Sequence, residues 1–310
     1  MADRGKRAWM TLALAATAFA ARPMQGAGTD SSNFLSIPVG GRPAALGGAY
    51  SALAEDAYAP VWNPSGLGFL PATQLSGMHL DYAESIGYEF LSFAHPVSAH
   101  DGLGASIQYL HPKTATARDA AGADIGTFSS HYAAYSLAYG HSFNQAFSLG
   151  GSLRLVDARI SDVSGSAEGV DLGGLYKVSP RVSVAVVAAN LGTKMRFLQD
   201  SESMPDTYRL GMVFSPVTTW SLAAETAYDR ADSTSLRFGA EWRPVPLLAV
   251  RLGYHDDPSQ NLSGLPGLTT GLGLTALGQR FDYAFAPMGQ LGNTQYFSVL
   301  FTFGKGEKKL

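Results

Sequence analysis

The sequence predicts an all-β fold, a closed antiparallel transmembrane β-barrel of about fourteen strands with a small N-terminal luminal plug. From residue 73 to Phe303, segments of about ten residues alternate apolar and polar side chains, and a period of two is typical of a strand with unlike faces. Only 15% of residues are charged, against about 25% in soluble proteins. No later stretch approaches the roughly 18 apolar residues of a membrane helix. Closure into a barrel is expected because it removes unpaired edge strands.

The N-terminal residues 1–27 are expected to be a signal peptide. Three basic residues among the first seven precede an apolar run at 8–21, which is too short to span a bilayer and is followed by small residues. Cleavage is expected after Ala20 or Ala27, and a membrane anchor is the alternative. The mature chain is therefore expected to leave the cytoplasm and to reach the bacterial outer membrane.

Several kinds of site are excluded or not indicated by composition. The chain has no cysteine, so disulfides and thiolate metal sites are excluded. Its seven histidines show no metal-binding spacing, and a net charge of −3 argues against a nucleic-acid partner. We therefore expect no cofactor, no metal and no enzymatic activity.

The barrel is expected to occupy residues 73–304, followed by a solvated tail at 305–310. Its connections alternate between tight turns and longer loops, and outer-membrane barrels place the short turns at the periplasmic rim. Longer loops are expected at 113–128, 157–165, 191–205 and 257–262. The closing strand should present one apolar face to lipid, formed by Phe297, Val299, Phe301 and Phe303. The fourteen strands are expected at 73–82, 86–97, 102–112, 129–141, 146–160, 166–179, 181–190, 206–215, 217–229, 233–243, 246–256, 265–276, 278–288 and 294–304.

Charged residues in the strands occupy the face opposite the large apolar residues. An Arg or Lys facing lipid at mid-bilayer costs about 2–4 kcal/mol, so these charges should face the lumen. Their mixed signs indicate a paired luminal network, and a selectivity filter is the alternative. On the strand that contains Phe238, Gly239 should also face inward, and a serine there is expected to cost much less than an arginine at lipid-facing Phe238. The network residues are Arg154, Asp171, Arg209, Glu225, Arg237, Glu241, Arg251 and Asp282.

Residues 28–72 interrupt the alternation and are expected to form the plug. Small residues and glycine pairs permit tight bends and close backbone approach. Asp56 is suited to cap a short helical turn, which Asn63-Pro64 would end. The plug motif consists of Gly40, Gly41, Arg42, Gly47, Gly48, Asp56, Trp62, Asn63, Pro64 and Gly66.

This motif resembles the N-terminal signature of the PorV/PorQ family, which is more distantly similar to the fatty-acid channel FadL. Later stretches are also similar to that family, namely 171–176, 190–192, 205–211, 237–242, 251–254 and 281–284. The resemblance implies a fourteen-stranded barrel with an N-terminal hatch, located in the outer membrane. It further implies a role in the movement or surface hand-over of secreted proteins, as in type IX secretion.

Two functions therefore compete. One is a scaffold whose partners, besides outer-membrane lipid, are secreted proteins or secretion components. The other is a FadL-like channel whose partners are fatty acids or other small hydrophobic molecules. Short loops favour the scaffold, because a lipid channel needs an enclosing outer groove. The loop at 191–205 supports the same choice, since it should form a single apolar surface patch of Met195, Phe197 and Leu198.

Overall fold

Fourteen antiparallel strands form one closed barrel, which confirms the predicted fold class and strand number. The computed structural model describes residues 33–82, 86–112, 116–118, 122–127, 130–161, 163–197, 200–229, 234–256, 267–287 and 293–304. The expected signal peptide and the tail at 305–310 lie outside these ranges. The barrel strands, whose ends lie within three residues of the predicted ones, are β1 (Thr73–Tyr82), β2 (Ile86–Pro96), β3 (Asp101–Pro112), β6 (Ser130–Ser142), β7 (Phe147–Ile160), β8 (Val163–Ser179), β9 (Val182–Gly192), β12 (Thr207–Phe214), β13 (Trp220–Asp229), β14 (Thr234–Val245), β15 (Leu248–Asp256), β16 (Leu268–Ala276), β17 (Gln279–Pro287) and β18 (Asn293–Phe303).

The barrel closes where the first strand pairs with the last. β1 and β18 run antiparallel, with Thr73 opposite Phe303 and Gly77 opposite Val299. Each remaining barrel strand pairs with its neighbour in chain order. Closure therefore leaves no barrel strand with a free edge.

Within the described ranges, four short strands lie outside the barrel and were not predicted. β4 (Thr116–Arg118) pairs with β5 (Asp124–Thr127), and β10 (Met195–Phe197) pairs with β11 (Asp200–Glu202). Both hairpins belong to long connections. The loop expected at 157–165 is instead a tight turn, because β7 continues to Ile160 and β8 begins at Val163. The residues near this turn are small and polar, and the sequence therefore predicted a loop. Cross-strand pairing nevertheless extends both strands through them.

The outer face of the barrel is apolar and is bordered by aromatic residues. Leu137 is 68% exposed and Leu153 is 66% exposed. At the short-turn rim the Trp220 and Trp242 rings stack with centroids 5.9 Å apart, and at the long-loop rim the Tyr208 and Tyr228 rings lie 6.5 Å apart. An exposed apolar band between aromatic girdles is characteristic of a transmembrane barrel.

The closing strand presents the predicted outward face. Phe297 and Phe303 are exposed there, while Val299 and Phe301 are half-buried on the same face. Tyr296 and Ser298 are buried on the other face. The side chains of β18 therefore alternate between the outer and inner faces, as they do along the other barrel strands.

The segment before the barrel packs against the inner wall. It consists of a 3-10 turn (Asn33–Ser36), helix α1 (Gly41–Ala45), helix α2 (Ala59–Trp62) and a second 3-10 turn (Pro64–Phe69). Helix α1 contacts β15 to β18, and the second 3-10 turn contacts β2, β3, β6, β7 and β8. Among the described residues, no helix has both the length and the apolarity that a membrane span requires.

Candidate functional site

The plug approaches the wall closely because the wall residues that face it are glycines. A Cβ atom at Gly239 would lie 2.8 Å from both the Cβ and the carbonyl oxygen of Leu46. Contacts that short require the plug to move. A serine at Gly239 is therefore expected to displace Leu46 of the plug, so the low cost expected from the sequence is an underestimate. The glycines at which an added Cβ would meet plug atoms include Gly104, Gly150, Gly173, Gly211, Gly239 and Gly253.

Glycine is also required within the plug itself. Gly40, Gly47 and Gly48, which flank α1, have positive φ angles of 94°, 64° and 78°, where side chains with a Cβ are strained. Two backbone N–H groups of this segment bind the wall: Gly41 donates to Ser298 Oγ at 3.0 Å and Gly47 to Thr269 Oγ1 at 3.1 Å. The glycine pairs thus fold the plug and attach it to the wall.

The second half of the plug is held by side-chain to backbone hydrogen bonds. Asp56 Oδ1 accepts from Tyr58 N at 3.1 Å, immediately before α2. Trp62 Nε1 donates to the Val39 carbonyl at 3.0 Å, and Asn63 Oδ1 accepts from Ser65 N at 3.2 Å. Pro64 begins the 3-10 turn, in which Gly66 is buried between Ala54 and Asn63.

The largest charge cluster joins the plug to β14, β15 and β17. Arg42 donates to both carboxylate oxygens of Glu241 at 2.8 and 2.9 Å. Arg251 bridges Glu241 and Asp282 at 2.7 and 2.8 Å. Removal of one member of a buried pair would leave an uncompensated charge.

Arg280 extends this cluster and was not among the predicted network residues. Its guanidinium contacts Asp282 at 2.8 Å and plug residue Asp56 at 3.1 Å. Asp56 also accepts a 2.6 Å hydrogen bond from the Tyr50 hydroxyl, and burial raises the pKa of Tyr50 well above its ordinary value, so the phenol remains a donor. The period of two that assigned Asp282 to the lumen also applies to Arg280, two residues earlier.

Two smaller clusters contain all but one of the remaining predicted charges. Arg154 pairs with Asp171 at 2.6 Å and donates to the Asn190 side chain. Arg237 lies 3.6 Å from Glu225. Glu225 accepts from the backbone and hydroxyl of plug residue Ser51. Seven of the eight predicted charges therefore belong to one of three clusters. The eighth, Arg209, belongs to none of them and is described below.

The expected apolar patch on the loop at 191–205 is wrong for Met195. Its side chain is fully buried and belongs to the core that contains plug residues Phe34 and Leu35. The short hairpin of β10 and β11 explains this burial, because it turns Met195 inward over the lumen. Leu198 and the side chain of Phe197 lie outside the described residues.

A cavity of about 50 Å³ lies between the plug and the wall, with room for a few water molecules. The cavity lies beneath the long-loop rim, because its lining includes Thr207, where β12 begins, and Asp229, where β13 ends. The plug side is largely apolar and the wall side is polar. The plug contributes Leu35, Ser36, Ile37, Pro38, Val39, Val61 and Trp62, and the wall contributes Arg154, Ala189, Asn190, Thr207, Arg209, Asp229 and Arg237.

Arg209 has the least complete set of partners among the cavity's cations. Its Nη2 lies 3.4 Å from the Val61 carbonyl oxygen, and its guanidinium lies 5.4 Å from the Trp62 ring centroid. Its buried Nε has no hydrogen-bond partner among the described residues. The alternation along β12 predicts that Arg209 faces the lumen. It does not predict that Arg209, unlike the other luminal arginines, lacks a carboxylate partner within the described part of the chain.

Solved structures similar to this chain include a monoaromatic hydrocarbon channel and a toluene transporter. The CymD monoaromatic hydrocarbon channel superposes with a TM-score of 0.62 at 12% identity, over 86% of this chain and 98% of that chain. A Pseudomonas aeruginosa FadL homologue gives 0.54 at 12% identity, over 90% and 99%. The Pseudomonas putida toluene transporter TodX gives 0.51 at 12% identity, over 78% and 91%. At such low identity these likenesses establish a FadL-like fold.

Sequence comparison identifies the family. No curated protein sequence shows a significant match to the chain. A model of an uncharacterised protein family, UPF0164, matches residues 9–198. That match covers more than half of the sequence, including the plug and the first half of the barrel. The chain therefore belongs to the UPF0164 family.

Proposed function

We propose that this protein is an outer-membrane channel that admits small hydrophobic molecules through its plugged lumen. The observation that carries the proposal is the cavity beneath the long-loop rim, which is apolar where the plug forms it. Ligand sites are typically concave and mostly apolar, with a few convergent polar groups. The FadL-like fold, which the chain shares with two hydrocarbon channels, also supports the proposed transport function.

The arrangement of the plug determines how such a channel would work. The plug contacts strands on opposite sides of the barrel, through α1 at β15 to β18 and through its second 3-10 turn at β2 to β8. Passage therefore requires the plug to shift. The cavity gives an entering molecule its first contact with both the plug and the wall.

The proposal is tested in a Gram-negative strain that lacks its own hydrophobic channel. Cells that express the protein should take up labelled toluene at low concentration faster than cells that carry an empty vector. A disaccharide of similar dose is the control, because an apolar site gives no advantage to a polar solute. Unchanged toluene uptake, or equal acceleration of the sugar, would rule the proposal out.

The secretion role implied by the PorV/PorQ resemblance stays a prediction. It rested on the resemblance, on short loops and on an apolar patch at 191–205, and that patch loses Met195 to the core. Transport therefore ranks first among the two functions. Co-purification of secreted proteins with wild type, and their loss in Phe197→Asp with Leu198→Asp, would reverse this order.

A further inference from the structure

We propose that Arg209 binds the carboxylate of a compact apolar acid, such as a small aromatic acid, in the luminal cavity. This inference rests on the proposed function, because it names the substrate class of the same cavity. It goes beyond the neutral hydrocarbons named for the similar channels. The charges that line the cavity point to such a ligand.

Three guanidinium groups line the cavity, and two of them already have carboxylate partners. Arg154 pairs with Asp171 at 2.6 Å, and Arg237 lies 3.6 Å from Glu225. Arg209 forms no ion pair within 4.0 Å among the described residues, and its Nε has no acceptor there. Arg209 is half-buried, and the carboxylates that attract it, Glu225 and Asp171, lie beyond ion-pair distance, so an anionic ligand would supply the missing direct interaction.

The geometry of Arg209 favours a carboxylate over a point anion. Its guanidinium carbon lies 5.4 Å from the Trp62 ring centroid, and this cation–π contact restricts where the group can lie. A planar guanidinium presents parallel N–H groups that match the two oxygens of a carboxylate. Asp229 also lines the cavity, with one oxygen accepting from Thr207 Oγ1 at 2.5 Å. Since Asp229 repels an anion, the ligand carboxylate is expected beside Arg209 and Arg237.

The size of the cavity limits the rest of the ligand. About 50 Å³ accommodates a carboxylate-sized head group but not a long chain buried from end to end. Ile37, Val39 and Val61 offer apolar contacts beside the head-group position. A short, flat apolar body therefore fits better than an extended acyl chain.

Equilibrium dialysis of the purified full chain in detergent tests this inference with labelled benzoate, and with benzylamine as the cationic analogue. Wild type should bind benzoate in preference to benzylamine. Arg209→Met should weaken benzoate binding at least tenfold, because a charge-assisted hydrogen bond contributes about 1.5–3 kcal/mol. Arg181→Met, which removes an exposed arginine at the opposite rim, should leave binding unchanged.

The outcomes separate this inference from the proposed function. Equal benzoate affinity in wild type and Arg209→Met, or a preference of wild type for benzylamine, would overturn the inference. The wild-type comparison of the two probes decides the matter even if the variant fails to fold. Benzoate binding without toluene uptake would overturn the channel and leave this site in place, whereas toluene uptake without benzoate binding would overturn this inference alone.

Discussion

Glu241 shows how a single luminal side chain connects the plug to the wall. Its carboxylate accepts from plug residue Arg42 and from Arg251 of β15. Glutamine at this position would leave both guanidinium groups buried beside a neutral amide. Because Arg42 would lose its carboxylate partner and Arg251 one of its two, the cost includes the desolvation of uncompensated charge as well as the lost hydrogen bonds.

We predict that Glu241→Gln lowers the free energy of unfolding by about 3–5 kcal/mol. The measurement is urea-induced unfolding in detergent micelles. Glu168→Gln is the matched control, because Glu168 is exposed near the long-loop rim and such a change should stay within about 0.5 kcal/mol. Equal losses in the two variants would show that the Glu241 cluster does not stabilise the fold.

Gly239 provides a second prediction about single residues. Gly239→Ala should destabilise the protein by about 1–3 kcal/mol, because the new Cβ would lie 2.8 Å from Leu46. Gly77→Ala is the control, since the added Cβ there would lie 3.9 Å from its nearest neighbour. Urea unfolding and trypsin digestion, which reports whether the plug is displaced, measure both variants. An equally stable, protease-resistant Gly239→Ala would disprove the tight seating of the plug.

The sequence predicted the facing of side chains far better than their partners. A period of two assigns each strand residue to lipid or lumen, so the alternation alone places Phe297 outward and Arg251 inward. Whether Arg251 pairs with Asp282 depends on which strands meet across the lumen, and alternation carries no such information. Met195 shows the same limit, because the apolar character of a loop residue does not reveal whether the loop folds inward.

The plug behaves as a separate element attached to the wall at defined points. Gly41 of α1 donates to Ser298 Oγ of β18, and a Cβ built on Gly41 would lie 3.0 Å from that oxygen. Cysteines at these two positions can therefore form a disulfide, whose Cβ atoms lie about 3.5–4.5 Å apart. The chain has no native cysteine, so the introduced pair would form the only disulfide.

We predict that Gly41→Cys with Ser298→Cys blocks toluene uptake under oxidising conditions and that dithiothreitol restores it. The physical reason is that the cross-link fixes α1 to the wall and prevents the plug from shifting. Each single-cysteine variant, treated with the same oxidant, is the control. Full uptake by the verified cross-linked protein would mean that molecules pass without movement of this part of the plug.

At the scale of the whole molecule, the barrel and the plug make different contributions to the fold. The plug adds no strand to the fourteen-stranded barrel, so the hydrogen-bond ladder does not depend on it. The inner wall opposite the plug is rich in glycine, and without the plug this surface would face a wide aqueous lumen. The wall charges Arg251, Glu241 and Asp282 would still pair with one another and would gain solvent.

We therefore predict that deletion of residues 34–70 leaves a folded barrel with a lower free energy of unfolding and a higher single-channel conductance than wild type. Conductance should rise because the segment occupies the cross-section of the lumen, while the barrel persists because its ladder and its lipid-facing band are intact. Planar-bilayer recordings measure the conductance, and the shift in gel mobility on boiling checks that the deletion variant is folded. A folded deletion variant with wild-type conductance would place the segment outside the conducting path, whereas a variant that never folds would show that the plug is needed to assemble the barrel around it.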